Sequence, residues 1–509
     1  MKARVISTPI VGSTLAQLAL SRSPSPWFTA PPATADEWKA RAALVRSSLS
    51  QQEWLEPLLP AFGNGGPALD RLRRAARSGI VVTSGQQPGL FGGPLYTWWK
   101  ALSVLALADE IEKQTGLPCA PVFWAATDDS DFKEASTTVV ATAEGAEQIE
   151  MPEPEGTGVA LAQVRIGDIS EQIARLELAA GSAPGSSVLD LVRRSYAPGS
   201  TVGGAFVALL RSVVEPLGIS VIDAAHPAVR SAAHPILVRA LERSEAIHDG
   251  LAARVADLKR EHYPPQVKIV EGRTLAFSEA DGKRDRIRIR DAAQTARSAQ
   301  PGTLGPNVLL RPIVERSILP TVAYLGGPAE IAYFAQVSAV AEALEVTAPV
   351  VLPRWSGYVL EPRVERILQR YSLDASDFAD PHAVETRLAR ASVPETVLEN
   401  AESIKAEVER AVGQMLSGEG ADLVPASVLE GLKRNVAHRI DRLERRYAAS
   451  IKRRGNDALR DAAIARGALY PFGHPQERAL NIIPLLTRYG DDLIHSVLEE
   501  AREHARRIT

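Results

Sequence analysis

Cysteine is almost absent: the 509-residue chain holds a single one, Cys119. That excludes an intramolecular disulfide and a Cys-rich zinc site, and it fits a reducing compartment. Cys119 follows Pro118 ahead of an apolar run, so it reads as a small buried filler. Long apolar runs are also missing. No stretch approaches the roughly 18 uninterrupted apolar residues that a membrane span requires. Lys2 and Arg4 are followed by Ser, Thr, Gly and Pro rather than by a secretory-signal core. A cytoplasmic protein is expected. Charge of one sign is scarce too: 58 Lys and Arg oppose 61 Asp and Glu, a net of −3, which gives no general attraction to nucleic acid or anionic membrane. The densest basic stretch, Lys433–Arg454, reads as a solvated helix face. The nine histidines are scattered without H-E-x-x-H. There is no G-x-G-x-x-G, no P-loop G-K-[ST] and no G-x-S-x-G beside a suitable strand, so dehydrogenase, Walker-type ATPase and serine-hydrolase chemistry lack support.

What is present is an ordinary globular composition, 45% hydrophobic and 23% charged, long enough for two to four structural units. After a Pro-rich lead, Ala35–Glu56 and Ala68–Arg77 carry helix formers. The period then changes. Residues 79–83 (Gly-Ile-Val-Val-Thr) form a buried-type strand, followed by a glycine-rich loop and a helix from Leu95 to about Lys113, with Pro94 at its start. Ala120–Ala126 reads as a second strand ending in the acidic cluster Asp128-Asp129-Ser130-Asp131. Phe206–Glu215 is a helix, Ile219–Asp223 a strand, and strands return at Leu319–Tyr324 and Ala348–Leu352. This alternation predicts an α/β fold with a parallel sheet and right-handed crossovers.

Two segments break the alternation. Residues 136–200, rich in Gly, Pro and Ser, read as an insertion of short strands and loops. Residues 262–300 read as a β-element in which Ala276–Glu279 and Asp285–Arg290 flank the turn Ala280-Asp281-Gly282. From about residue 380 two seams follow helical spacing: Val397, Ala401, Ile404, Val408, Ala411, Met415, and Leu429, Leu432, Val436, Ile440, Leu443, Tyr447. They predict a long helical hairpin of coiled-coil type. Because one hairpin hides only part of such a stripe, it docks on a second subunit or packs within its own chain. The expected division is residues 1–135, N-terminal helices and the first part of the core; 136–200, a connective insertion; 201–235, core; 236–305, a second connective insertion; 306–380, core; 381–465, coiled coil; and 466–509, a return to the core.

One internal echo points to a site. Phe91-Gly92-Gly93-Pro94 and Leu325-Gly326-Gly327-Pro328 each join a strand to a helix. Glycine lets a backbone approach a ligand, a Pro-started helix offers free amides, and parallel sheets bind ligands beyond the carboxyl ends of their strands. Two such turns on neighbouring strands are expected to face one anion-receptive cleft.

At this point blocks of sequence carry a resemblance. They are Thr83-Ser84-Gly85-Gln86-Gln87-Pro88-Gly89-Leu90, Gly93-Pro94-Leu95-Tyr96-Thr97 with Lys100, and Pro121-Val122-Phe123-Trp124 with Asp129, Asp131, Phe132 and Glu134. Further along come Pro306-Asn307-Val308-Leu309-Leu310-Arg311-Pro312, Leu319–Tyr324, Gly326-Gly327-Pro328, Glu330-Ile331-Ala332-Tyr333 with Gln336, Val350–Arg354 with Ser356, and Gln476-Glu477-Arg478. In this order, from about residue 80 onward, the chain resembles the bacillithiol biosynthesis cysteine-adding enzymes, the cysteine ligases. Ser130 and Trp99 stand where some members have histidine, which would leave proton transfer to another group. The resemblance implies a Rossmann-like core similar to class I aminoacyl-tRNA synthetases, with inserted connective elements and a coiled coil that makes a homodimer. It implies amide formation between cysteine and glucosaminyl-malate, giving bacillithiol.

A carboxylate needs activation for that reaction, so ATP is an expected co-substrate through a cysteinyl-adenylate, although no HIGH or KMSKS signature is present. Mg²⁺ is a further expectation. Asp128 and Asp131 are the candidate catalytic residues, as base or as anchors for an ammonium or Mg²⁺. The amides of Gly92, Gly93, Gly326 and Gly327 are assigned to anionic charge, Gln86 and Gln87 to hydroxyls, and Arg311 and Arg354 to the malate carboxylates. Tyr96, Asn307, Glu330, Gln336 and Ser356 complete the expected lining. Alternatives are an amide-forming or nucleotidyl-transferring enzyme acting on another small amine, and a non-catalytic ligand-binding or assembly homologue.

Overall fold

The computed structural model describes residues 3–49, 51, 53–153, 158–181, 186–280, 283–454 and 457–509. They divide into two compact units, one of residues 1–140, 148–360 and 477–509, the other of residues 141–147 and 361–476.

The first unit is built on five parallel strands: β1 Ile80–Gln86, β2 Cys119–Ala125, β3 Ser220–Asp223, β4 Thr321–Gly326 and β5 Val351–Pro353. Their spatial order is β3-β2-β1-β4-β5, so strand order reverses between β1 and β4, the position where open α/β sheets form their ligand crevice. Both faces are covered, which explains why the strands read as continuous apolar runs. Ile80, Val82, Cys119, Val322 and Leu325 pack on one side with Val104, Leu107 and Ile111. Val81, Ala120, Val122, Trp124 and Ile222 pack on the other with Leu72 and Trp54. Cys119 is fully buried, and burial pushes its thiol well above the usual range, as befits a filler.

Helix α1, Leu95–Thr115, follows β1; α2, Arg311–Ile318, precedes β4; and α3, Pro328–Ala343, follows it. β1 runs three residues beyond the predicted apolar segment, carrying Gln86 to the sheet edge. Gly85 permits this: it faces Trp124 in register, and a Cβ on it would lie 2.7 Å from the Trp124 carbonyl. The insertion predicted as short strands and loops does hold the strands Thr137–Ala141 and Ala146–Glu150, but it also contains helices at Ser170–Ala180 and Ser186–Ser195. Their buried Leu176 and Val192 were masked in the sequence by the Gly, Pro and Ser concentrated between the elements. The predicted β-element is the antiparallel pair Arg273–Ala280 and Lys283–Arg288, joined on its other edge by Leu304–Pro306. Its turn residues 281–282 lie outside the described residues. An unpredicted N-terminal strand, Arg4–Ser7, pairs with Gly357–Leu360.

The second unit contains the helical hairpin, α4 Glu395–Ser417 and α5 Ala426–Arg454. Its inner face keeps Ala401 and Ile440 of the predicted seams and departs from them elsewhere. Ala401 and Val412 are buried on α4, and Ile440, Glu444 and Ala448 on α5, with Lys405 pairing to Glu444 at 3.2 Å. Ile404, Met415, Leu432, Leu443 and Tyr447 are 40–54% exposed. The spacing pattern ran through a stripe wider than one partner helix covers. The chain ends in the first unit with α6, Ile483–Ile508, packed along α1 and kinked at Gly490. No helix among the described residues is long and apolar enough to cross a membrane.

Candidate active site

At the carboxyl ends of β1, β2 and β4 lies a cleft of about 590 Å³. From β1 it receives Gly85, Gln86 and Gln87; from α1, Tyr96 and Lys100; from the end of β2, Trp124, Ala126, Asp128, Asp129 and Ser130. The β-element and the segment after it contribute Phe277, Arg284, Arg286, Pro306 and Asn307, and the turn into α3 contributes Gly327, Pro328, Ala329 and Glu330.

Its floor is a chain of buried polar contacts. The Lys100 ammonium, 3% exposed, donates to Glu330 Oε2 at 2.6 Å, to the Gly85 carbonyl at 2.8 Å and to Gln86 Oε1 at 2.9 Å. Glu330 also accepts from the Gly327 N–H at 2.8 Å and the Tyr324 hydroxyl at 2.6 Å. Arg311 donates to Tyr324 at 3.2 Å and to Glu315 at 3.1 Å, and Glu315 accepts from Thr83. Burial alone would push the Glu330 carboxyl up, but Lys100, Tyr324 and Gly327 together hold it below the usual carboxylate range. Glu330 therefore stays anionic and Lys100 stays paired, a fixed element rather than a mobile acid or base.

Asp128 differs. Its carboxyl lines the cleft, and among the described residues it has no ion pair and no hydrogen bond to another residue's side chain. Burial raises it, with Glu279 and Asp129 adding to the rise and Arg284 and its own backbone N–H opposing it. A half-buried carboxyl raised in this way and facing a cavity is suited to take a proton from an attacking amine. Glu134, outside the lining, is raised by burial and by Asp131 and Asp129, and accepts from the lining residue Gln87 through Nε2 at 2.5 Å.

Of the sequence-derived candidates, the cleft gathers Gln86, Gln87, Tyr96, Asp128, Asn307, Arg311, Gly327, Glu330 and Arg354. Several have other partners already. The Arg354 guanidinium is 3% exposed and makes a two-pronged pair with Glu477 at 2.8 and 3.0 Å. With Arg311 bound to Glu315, neither is free to clamp malate. The Gly327 amide is taken by Glu330, and Asn307 Oδ1 accepts from the Leu309 and Leu310 amides at 3.0 Å. Gln86 donates to the Tyr96 hydroxyl at 3.1 Å.

Six candidates lie outside the lining. Asp131 is an exposed N-cap accepting from the Glu134 amide at 3.1 Å. Gln336 is fully buried and brackets the Val267 amide and carbonyl at 2.8 Å each. The Gly326 carbonyl accepts from Arg354 N, and Ser356 donates to Glu477 at 3.0 Å. Gly92 and Gly93 are buried, and their amides are spent within the turn on Gly89 and Leu90. Thus the two Gly-Gly-Pro turns do come from adjacent strands, but only the second reaches the cleft. The first faces inward, with Phe91 in a left-handed conformation (φ 51°) against Tyr196. Asn481 holds it by donating to the carbonyls of Leu90 and Phe91 at 3.2 and 3.0 Å, while its own oxygen accepts from Ile483 N at 2.8 Å at the start of α6. Trp99 is buried against Trp355 and donates to Gly357 O, so a histidine there would not face the cleft.

Sequence reasoning missed Lys100 as a site residue, although the motif contained it, and missed the cations Lys268, Arg284, Arg286 and Arg478. The position of Lys100 in the second turn of a helix that follows a glycine-rich strand end was the available signal. No group of three or more His, Cys, Asp or Glu is gathered as a metal site among the described residues.

Comparison with known proteins gives two matching family models. "Bacillithiol biosynthesis BshC, N-terminal Rossmann-like domain" matches residues 25–355, and "Bacillithiol biosynthesis BshC, C-terminal coiled-coil domain" matches residues 357–508. A Solibacter usitatus relative is 33% identical over 475 residues, covering 90% of this chain and 89% of its own. A Koribacter versatilis relative is 32% identical over 467 residues, covering 88% and 86%. A Heliobacterium modesticaldum relative is 29% identical over 507 residues, covering 92% and 89%. Each carries the name "Putative cysteine ligase BshC".

Proposed function

The chain belongs to the bacillithiol biosynthesis BshC family, and from that premise we propose that it is a ligase joining the carboxyl of cysteine to the amine of glucosaminyl-malate, the last step to bacillithiol. The observation that carries the reading is Asp128: a raised carboxyl without an ion-pair partner, lining the crevice where the sheet order reverses.

In this reading Asp128 accepts the proton that the amine loses as its nitrogen bonds to the acyl carbon. Gln87 and Ser130, at the rim, meet sugar hydroxyls. Lys100 and Glu330 keep Gln86 and the Gly327 turn rigid, so the reactants meet in a preformed geometry. ATP would supply a leaving group for the cysteine carboxyl. Asp129 is the carboxylate at which an Mg²⁺ accompanying ATP would be held. Cytoplasmic action suits the one buried thiol. A homodimer through the hairpin is supported by the exposed apolar stripe Ile404, Met415, Leu432, Leu443 and Tyr447.

The test is to incubate the purified protein with cysteine, glucosaminyl-malate and ATP and follow bacillithiol and AMP by mass spectrometry. Bacillithiol with equimolar AMP is expected. Bacillithiol without AMP would remove adenylation and keep the ligase; no bacillithiol would remove the ligase.

A further inference from the structure

Seven cationic side chains line the cleft, and four are already matched. Lys100 has Glu330, Arg311 has Glu315, Arg354 has Glu477, and Arg284 has Glu279 at 3.7 Å, with further contacts to the Asp128 and Pro306 carbonyls. Three remain: Lys268, Arg286 and Arg478, which have no ion pair among the described residues. They come from separate parts of the first unit: the segment before the β-element, its second strand, and the short helix Gln476–Ala479. Arg286 stands directly across from Phe277 in the hairpin and lies over its ring at 5.1 Å, on the same face as Arg284 at 4.4 Å. The ring thereby fixes one face of the guanidinium and leaves its edge donors for a ligand. Arg478 acts on Tyr96 at the α1 side of the same cleft. On the β2 side stand Asp128 and Asp129, the lining's two carboxylates without a cation partner.

Three unmatched positive charges and two unmatched negative ones lining one cleft complement a ligand that carries both carboxylates and an amine. We infer that Arg286 and Arg478, with Lys268, are the receptor for the dicarboxylate end of the amine substrate, in place of the paired Arg311 and Arg354. The inference rests on the proposed ligase reading for the identity of the amine, not for the anion site. Carboxylate and phosphate share this recognition chemistry, and separate titrations of malate and of ATP tell them apart.

The test uses the full chain with Arg286→Ala, Arg478→Ala and Lys268→Ala. Two quantities are measured: calorimetric binding of malate alone, and steady-state kinetics with glucosaminyl-malate, cysteine and ATP varied in turn. Each arginine variant should weaken malate binding and raise KM for glucosaminyl-malate about 10- to 100-fold, with kcat and the KM values for cysteine and ATP little changed. Arg286→Lys, which keeps charge but loses the two-pronged geometry, should fall between. These side chains are exposed, so melting temperatures should match the parent. Unchanged malate binding and KM in active Ala variants overturn the inference and leave the ligase reading standing, and a rise confined to KM for ATP overturns it in favour of a phosphate site. Loss of malate binding in the variants of a protein that makes no bacillithiol keeps the anion receptor and removes the ligase.

Discussion

Replacing Glu330 by alanine tests the floor of the cleft most directly. The change removes the anion 2.6 Å from an ammonium that is 3% exposed, and it strips the Gly327 N–H and Tyr324 hydroxyl of their acceptor. Breaking a buried ion pair from one side costs about 3–5 kcal/mol. Two neutral acceptors remain on Lys100, and Tyr324 still accepts from Arg311, so the expected loss is at the lower end, about 3 kcal/mol. Glu330→Gln keeps acceptors and loses the charge, for about half of that. The double variant Lys100→Met/Glu330→Met should be destabilised by much less than the sum of its singles, since apolar replacements remove both buried charges together. The assay is urea unfolding followed by tryptophan fluorescence, with the first transition taken for the comparison. A loss for Glu330→Ala below about 1 kcal/mol, the range of a solvent-exposed pair, would refute the reasoning. The pH dependence gives a second check. Glu330 is held below its ordinary value of 4.5. Its contribution is therefore complete above that pH and is lost as pH falls through the folded value. The gap between parent and Glu330→Gln should close progressively below about pH 4.5.

Other expectations follow from the same geometry. Asp128→Asn should abolish most turnover yet raise neutral-pH stability, because an acid raised by burial costs stability as pH climbs through its folded pKa; thermal melts at pH 5 and 8 show the increase growing with pH. Asp131→Ala should cost about 1 kcal/mol through its lost cap and leave kcat nearly intact, read by kinetics beside denaturation. Leu432→Glu with Leu443→Glu should yield monomers by light scattering if the exposed stripe joins two copies, with the hairpin's helicity retained by circular dichroism.

The core strands and α1 were legible because buried parallel strands write themselves as short β-branched runs and because glycine and proline mark the strand ends. The cleft's position was legible for the same reason. Which atoms in it were free was not. Arg354 and Ser356 meet Glu477 more than 120 residues away, and Arg311 finds Glu315 one helical turn on. Sequence assigns a guanidinium a capability, but long-range pairing decides whether it is spent. Gly92 and Gly93 failed similarly: their positive φ values, 88° and 72°, serve an inward-facing turn, a demand that looks identical in sequence to close ligand approach. The hairpin's existence followed from its period, whereas its inner face depended on Lys405 meeting Glu444, a polar pair invisible to an apolar template.

Asn481 carries a consequence for how the protein comes into being. It secures a turn that lies 388 to 391 positions earlier in the chain, so the loop beside β1 stays unfastened during synthesis until Asn481 has left the ribosome. A chain cut short before Asn481 lacks the donor that fixes this turn, and it should give a product that chaperones hold and proteases clear rather than a smaller working catalyst.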